Sequence, residues 1–482
     1  MSRTPITRAR HAIAAGIVAG SLLLLAGGSA RAGAAKETTP IQHVVIIDQE
    51  NHSFDNLLGD LCVEVAHQQF VRPGSDDGCD GRTVGTLPNG KKIALATATD
   101  VVAGVHHSVA SQQTSMDGGN MDGFARIGGC KATQSPAYRC YSQYHQSQIP
   151  NAWNFAADFT ISDRTFEQKQ TPSWTGHLVL AAATTDGFQG DNPTYVAGPG
   201  VPHRGPGWGC DSNKQTGWWN GTSYQSVPSC IPDQAGNGPF TGPGTSPVPY
   251  VPTIFDRMDD ADVSWKIYGA DGSTNPHVLG YLWTMCPSFY ECLGSSQDQK
   301  LVPAENVIGD GRSGDLPAVS FVTPLGTNSQ HNRDSMLTGD NWIGQILDAI
   351  EHGPDWDTTA VFLTWDDCGC FYDHVNPLQF GSDWGIRVPM IIVSPYAKQG
   401  STDSTPAVFA SLLAYVEHTF GLPALAPCGG APGCTDDTNV YDYANAFDYS
   451  QAPLPPIPVT RSTIPGSEQW YLQTHPARPD VT

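Results

Sequence analysis

The stretch HVVIIDQENHSFDN, residues 43–56, changes character halfway: a nearly continuous β-branched apolar run gives way to acids, amides and a histidine. A short apolar run without polar alternation reads as a strand buried on both faces, the kind that parallel sheets contain. Three later stretches repeat it: AVSFVTP at 318–324, AVFLTWDD at 360–367 and VPMIIVSP at 388–395. Helical patterns come between or after them, including NWIGQILDAIEHG at 341–353 and PAVFASLLAYVEHTFG at 406–421. Such alternation defines an α/β fold on a largely parallel sheet.

In an open α/β sheet, ligands sit beyond the carboxyl ends of the strands. Two of these strands end in oxygen-bearing side chains: the first delivers Glu50 and Asn51, the third Asp366 and Asp367. Parallel neighbours would carry all four to one edge, where hard oxygen donors suit a divalent cation. Taken singly, each pair also fits a turn or a helix start. Of the 15 histidines, His107 in GVHHSVASQQ and His331 in TNSQHNRDS lie in polar loops, where a core role is unexpected. His43, just before a strand, is assigned to structure, and His374 in FYDHV is left open.

In EQKQTPSWTGHLVLAAATT, residues 167–185, Thr171, Pro172 and Ser173 stand just before a helical run. A hydroxyl there caps free backbone N–H groups. The same free groups can form an anion site, in which the hydroxyl becomes a nucleophile. The two readings are not separable from this segment alone.

The first 32 residues read as a cleaved secretory leader. Arg3, Arg8 and Arg10 precede an uncharged stretch from Ala12 to Ala26, and Ala30 and Ala32 form an A-x-A cleavage site. The apolar run is short for a membrane span, which needs about 20 residues. No later stretch is long and apolar enough either, so secretion without stable membrane insertion is expected. The formal charge of −22 argues against nucleic acid as a partner.

Twelve cysteines in an exported chain suggest disulfides, and they fall in neighbouring couples: 62 and 79, 130 and 140, 210 and 230, 286 and 292, 368 and 370, 428 and 434. Residues 186–250, rich in Gly, Pro, Asn and Trp, show neither helical nor strand period and read as a disulfide-pinned insertion. The Pro-rich tail, 451–482, reads as extended or poorly packed. The remainder, 33–450, is expected to be one catalytic domain carrying that insertion.

Taken in order, several segments resemble the bacterial phosphoesterase family that contains phospholipases C and a secreted acid phosphatase. HVVIIDQENHSFDNLLG is similar to its opening signature, E-N-R/H-S-F-D. HSVASQQTSMDGGNMDGF at 107–124, IPNAWNFAADFTISDRTFEQKQTPSWTGH at 149–177, TIFDRMDDADVSWKIYG at 253–269 and TWDDCGCFYDHV at 364–375 resemble later family segments, and IRVPMIIVSPYA at 386–397 continues the series. The resemblance implies an alkaline-phosphatase-like fold, a three-layer α/β/α arrangement around the parallel sheet.

The resemblance also implies roles. Ser173 matches the hydroxyl that attacks phosphorus. Glu50, Asn51, Asp366 and Asp367 match the residues that, with Ser173, hold one divalent metal ion, whose identity as calcium, zinc, iron or manganese stays open. His107 and His331 match positions used for phosphoryl binding and proton donation. The implied function is a secreted metal-dependent phosphoric ester hydrolase acting through a phosphoserine, with a phospholipase C activity on phospholipid taken first and a monoester-cleaving acid phosphatase as the alternative. A non-catalytic glycan-binding protein fits less well because no member of the ligand set is missing. A sulfatase fits poorly because SWTGH lacks C/S-x-P-x-R. The chain departs from the family pattern at Thr171, Thr175 and Gly176, and at Cys368, Gly369 and Cys370, where several relatives have another acid. Trp208, Trp218 and Trp219 are candidates either for an apolar substrate entrance or for packing on the disulfide loop.

Overall fold

The computed structural model describes residues 39–74, 78–195, 207–238, 246–270, 280–425 and 440–475. The expected leader and the Cys428 and Cys434 couple lie outside them. The fold is mixed α/β around an eight-stranded sheet. From edge to edge its strands are Leu301–Pro303, Trp265–Gly269, Val319–Val322, His43–Gln49, Thr359–Trp365, Met390–Val393, Thr160–Ser162 and Thr402–Asp403. Neighbours run parallel except on either side of Met390–Val393, which is antiparallel to both.

The apolar runs are continuous because both faces of the sheet are covered. Val44 and Ile46 point into one core with Trp174, Leu178, Phe255 and Leu412, and Val45 and Ile47 point into the other with Phe54, Trp153, Ile343 and Ile346. Helices Ser173–Ala182, Ile254–Asp260 and Ala410–Phe420 therefore lie on one side, with Pro150–Asp158 and Met336–Glu351 on the other. Each such buried Val or Ile contributes about 1.5–3 kcal/mol relative to exposure. Removing polar alternation from the strands is thus what sandwiches the sheet between helices.

Disulfides join Cys62 to Cys79, Cys130 to Cys140, Cys210 to Cys230 and Cys286 to Cys292, as their spacing suggests. Cys368 and Cys370 are an exception: both are buried free thiols, their sulfurs 3.8 Å apart. The loop between them turns through left-handed conformations, φ 54° at Gly369 and 49° at Cys370.

The insertion is more regular than its composition suggests. Lys214–Trp219 pairs antiparallel with both Tyr224–Pro228 and Thr194–Tyr195. The signal lay in Asn220 and Gly221: Asn220 Oδ1 accepts from the Thr222 and Ser223 N–H groups, and Gly221 takes φ 98°. The tail from 451 is extended but pinned, with Asn151 Nδ2 donating to Thr460 O and Ser462 N donating to Asn341 Oδ1. It then forms a helix, Gly466–Thr474.

Candidate active site

Three adjacent parallel strands deliver the expected residues to one edge. Register pairs Gln49 with Trp365, so Glu50 and Asp366 leave the sheet at the same level. The two exits are tied together: Asp366 N donates to Gln49 O at 2.9 Å, and Asn51 N donates to Asp366 Oδ1 at 2.9 Å. Asn51 takes φ 66°, a left-handed turn that asparagine tolerates. Gly369 closes against it, since a Cβ there would stand 2.2 Å from Asn51 O. Val319–Val322, the strand on the other side of His43–Gln49, leads to the loop carrying His331.

Ser173 opens its helix directly above these ends, with Pro172 at the cap position. Its Oγ donates toward Glu50 Oε2 at 3.2 Å and Asp367 Oδ2 at 3.4 Å. Asn51 Nδ2 donates to the same Glu50 oxygen at 2.9 Å. The five residues expected to surround a cation, Glu50, Asn51, Ser173, Asp366 and Asp367, thus form one buried cluster.

The helix amides are less free than the sequence implies. Trp174 N donates to Asn192 Oδ1 at 2.9 Å, and Thr175 and Gly176 N–H both reach Pro172 O at 3.3 Å. The helix start therefore offers fewer free amides than an anion site at this position would need. The neighbouring insertion residue, Asp191, accepts from Val109 N at 2.9 Å and holds the helix that follows His107.

His107 is buried, with Nδ1 against Val105 O at 2.9 Å and Nε2 3.9 Å from Asp367 Oδ2. His331 joins the site through His107, their ring centroids 6.5 Å apart, and leans on Trp283 at 5.6 Å. Burial lowers the pKa of both; His331 is pushed down to about 3 by burial and by His107. Burial thus favours the uncharged form of both rings.

His177 was missed by the sequence reading. One helical turn after Ser173, it places Nε2 2.8 Å from Glu50 Oε1 and 3.7 Å from Asp366 Oδ2, with Nδ1 2.8 Å from Asp48 Oδ2. Its signal was the i, i+4 spacing from Ser173, which puts both on one helix face. His374, left open earlier, belongs to a separate network: Nδ1 meets Asp55 at 2.6 Å and Nε2 meets Asp80 at 2.9 Å. Arg387, fully buried, pairs with Asp55 and Asp373 there, so those carboxylates already have a cation.

In the main cluster one histidine faces four carboxylates. Asp48, Glu50, Asp366 and Asp367 are all buried, with His177 among them. Burial raises Asp48 and Asp366 to about 6 and Asp367 to about 7, and raises Glu50 well above the ordinary carboxylate range. Burial alone would lower His177, but Asp48 and Glu50 on either side raise it well above an ordinary histidine. Asp366 Oδ2 and Asn51 Oδ1 are buried without a hydrogen-bond partner. Glu50, His177 and Asp366 each offer a ligand atom within 4.8 Å of the others. Crowded carboxylates with orphaned oxygens fit a divalent cation.

Residues 41–423 match the phosphoesterase family, and the chain belongs to it. It is similar to the non-hemolytic phospholipase C of Pseudomonas aeruginosa, 22% identical across 87% of this chain and 59% of that protein. It resembles the non-specific phospholipase C1 of Arabidopsis thaliana, 23% identical across 76% of this chain and 63% of that one. It is also similar to phospholipase C B of Mycobacterium tuberculosis, 24% identical across 87% of this chain and 80% of the relative. The chain spans about six-tenths of the length of the first two. Among the described residues no helix is long and apolar enough to cross a membrane.

Proposed function

We propose that this chain is a secreted, metal-dependent phosphoric ester hydrolase that cleaves phospholipid in the manner of a phospholipase C, through a phosphoserine on Ser173. The observation that carries this reading is the convergence of the Ser173 hydroxyl with Glu50 and Asp367, which arrive from two adjacent strand ends. Glu50, Asn51, Ser173, Asp366 and Asp367 would hold the cation. When bound, it lowers the free energy of the ionised serine and of the charged phosphoryl oxygens.

The protein's residues supply the rest. Ser173 is held at a helix start by packing on the sheet, so its Oγ meets phosphorus in one orientation. The Oγ–P bond forms as the bond from phosphorus to the lipid alcohol breaks. Ser173 gives up its hydroxyl proton as Oγ attacks, and His107 and His331, whose basicity rises once the phosphoryl anion lies beside them, take up a proton in exchange and pass it to the departing alkoxide. Water then attacks the phosphoserine, releases the phosphorylated headgroup and restores the hydroxyl. The leader read over residues 1–32 supports export, and the relatives' phospholipase C names support the lipid substrate.

The test is a substrate panel run with and without a chelator. A phosphorylcholine diester should turn over, with activity lost to the chelator and restored by divalent cation. Turnover of simple monoesters alone would replace the phospholipase reading with a phosphatase.

A further inference from the structure

We propose that His177, backed by Asp48, is an additional ligand of the cation site, binding through Nε2, and that it makes the site select cations that accept imidazole, such as zinc, over calcium. This inference rests on the metal-dependent reading of the site, which names only oxygen donors.

The placement of His177 is built from three directions. Asp48 alternates with Val44 and Ile46 on the side of the sheet covered by the Ser173–Ala182 helix, and Glu50 follows just past the end of that strand. Ser173 and His177 are four apart on that helix and face back toward them. Gly176 permits the close approach, because a Cβ there would stand 2.7 Å from Asp366 O. Any larger residue would lift the helix off the strand end and take the imidazole with it.

Asp48 stands behind the ring at ion-pair distance, without a hydrogen bond to Nδ1. Nδ1 lies 2.8 Å from Asp48 Oδ2, while Nε2 hydrogen-bonds Glu50 Oε1 at 2.8 Å with Asp366 Oδ2 3.7 Å away, so a cation would stand where the Nε2 proton now lies. Asp48 is fully inside the protein, and His177 is the one ion-pair partner it has among the described residues. In metal sites a carboxylate that accepts from the far nitrogen of an imidazole orients it, and Asp48 is close enough to take that part once Nδ1 turns toward it. The orphaned Asp366 Oδ2 and Asn51 Oδ1 lie in the same cluster. Calcium prefers an all-oxygen shell, whereas zinc, manganese and iron accept imidazole together with carboxylate.

The test uses the full chain stripped by chelation. Zinc, cobalt and calcium are titrated calorimetrically into the parent, His177→Ala, His177→Gln and Asp48→Asn, and the histidine nitrogen resonances of the parent are followed by NMR as zinc is added. The expected results are parent zinc affinity exceeding calcium affinity by at least about 100-fold, a loss of zinc and cobalt affinity of at least about 30-fold in both His177 variants, and about 10–100-fold in Asp48→Asn. Calcium affinity should change by less than about threefold, and the His177 Nε2 resonance should move on zinc binding. Parent-like zinc affinity in the His177 variants, or a stationary Nε2 resonance, overturns the inference and leaves the metal-dependent reading standing. A parent that binds no divalent cation overturns both. The resonance measurement needs no variant, so misfolding of a variant does not protect the inference.

Discussion

Ser173 Oγ and Glu50 Oε2 lie 3.2 Å apart across a sequence separation of 123 residues. Glu50 leaves a strand end and Ser173 begins the helix packed over it, so their contact reports whether the sheet and that helix are docked correctly. The roles proposed for the cluster depend on this contact.

Replacing Ser173 with alanine should abolish covalent turnover while leaving the metal bound. The expected loss in kcat is about a thousandfold or more, with cation stoichiometry unchanged by elemental analysis. Activity within about tenfold of the parent would refute the nucleophile assignment.

Asp366 holds two structures together, accepting from Asn51 N and Asp367 N while leaving Oδ2 unpartnered. Asp366→Asn should therefore weaken cation binding by at least about tenfold. Calorimetric titration checks this, and unchanged occupancy at limiting metal counts against the ligand set.

Asn192 reaches from the insertion to the helix that Ser173 opens, accepting from Trp174 N at 2.9 Å. Asn192→Ala should remove about 1 kcal/mol of stability, as loss of a helix-capping acceptor does. It should also lower kcat more than it raises KM, because Ser173 loses its fixed position rather than its contacts with bound substrate. Parallel kinetics and thermal melts would expose a purely structural role as a lower Tm with unchanged kcat.

His374 gives a pH prediction away from the site. Burial lowers its pKa, but Asp55 and Asp80 outweigh that and raise it to about 9. A pKa raised in the folded state means that the charged form stabilises the fold. That contribution is complete below the ordinary histidine pKa of about 6.5 and is lost as pH rises through about 9. The stability advantage of the parent over His374→Gln should shrink between these limits, as measured by urea midpoints at intervals from pH 6 to 9.5. An advantage that stays constant across that window would show that His374 is not charged in the folded protein.

Much of this was legible locally. Continuous apolar runs such as Val44–Ile47 announce strands covered on both sides, and the polar residues that follow each run, Glu50 with Asn51 and Asp366 with Asp367, mark where the strands end. The hairpin in the insertion was less legible, because Gly and Pro around it obscure alternation and only Asn220 and Gly221 flag the turn. His177 was hidden among the apolar residues of an almost wholly buried helix, where a histidine reads as core.

The sequence by itself determined the α/β class and the chemical types gathered at the strand ends, because backbone periodicity and polarity act over a few neighbouring residues. Only the tertiary structure decided which groups meet: Ser173 with Glu50, His177 between Asp48 and Glu50, Asn192 on Trp174, and Arg387 rather than an added cation between Asp55 and Asp373. Those contacts depend on strand order, helix docking and the direction each side chain leaves the backbone. A linear pattern holds none of these until the helices close over both faces of the sheet.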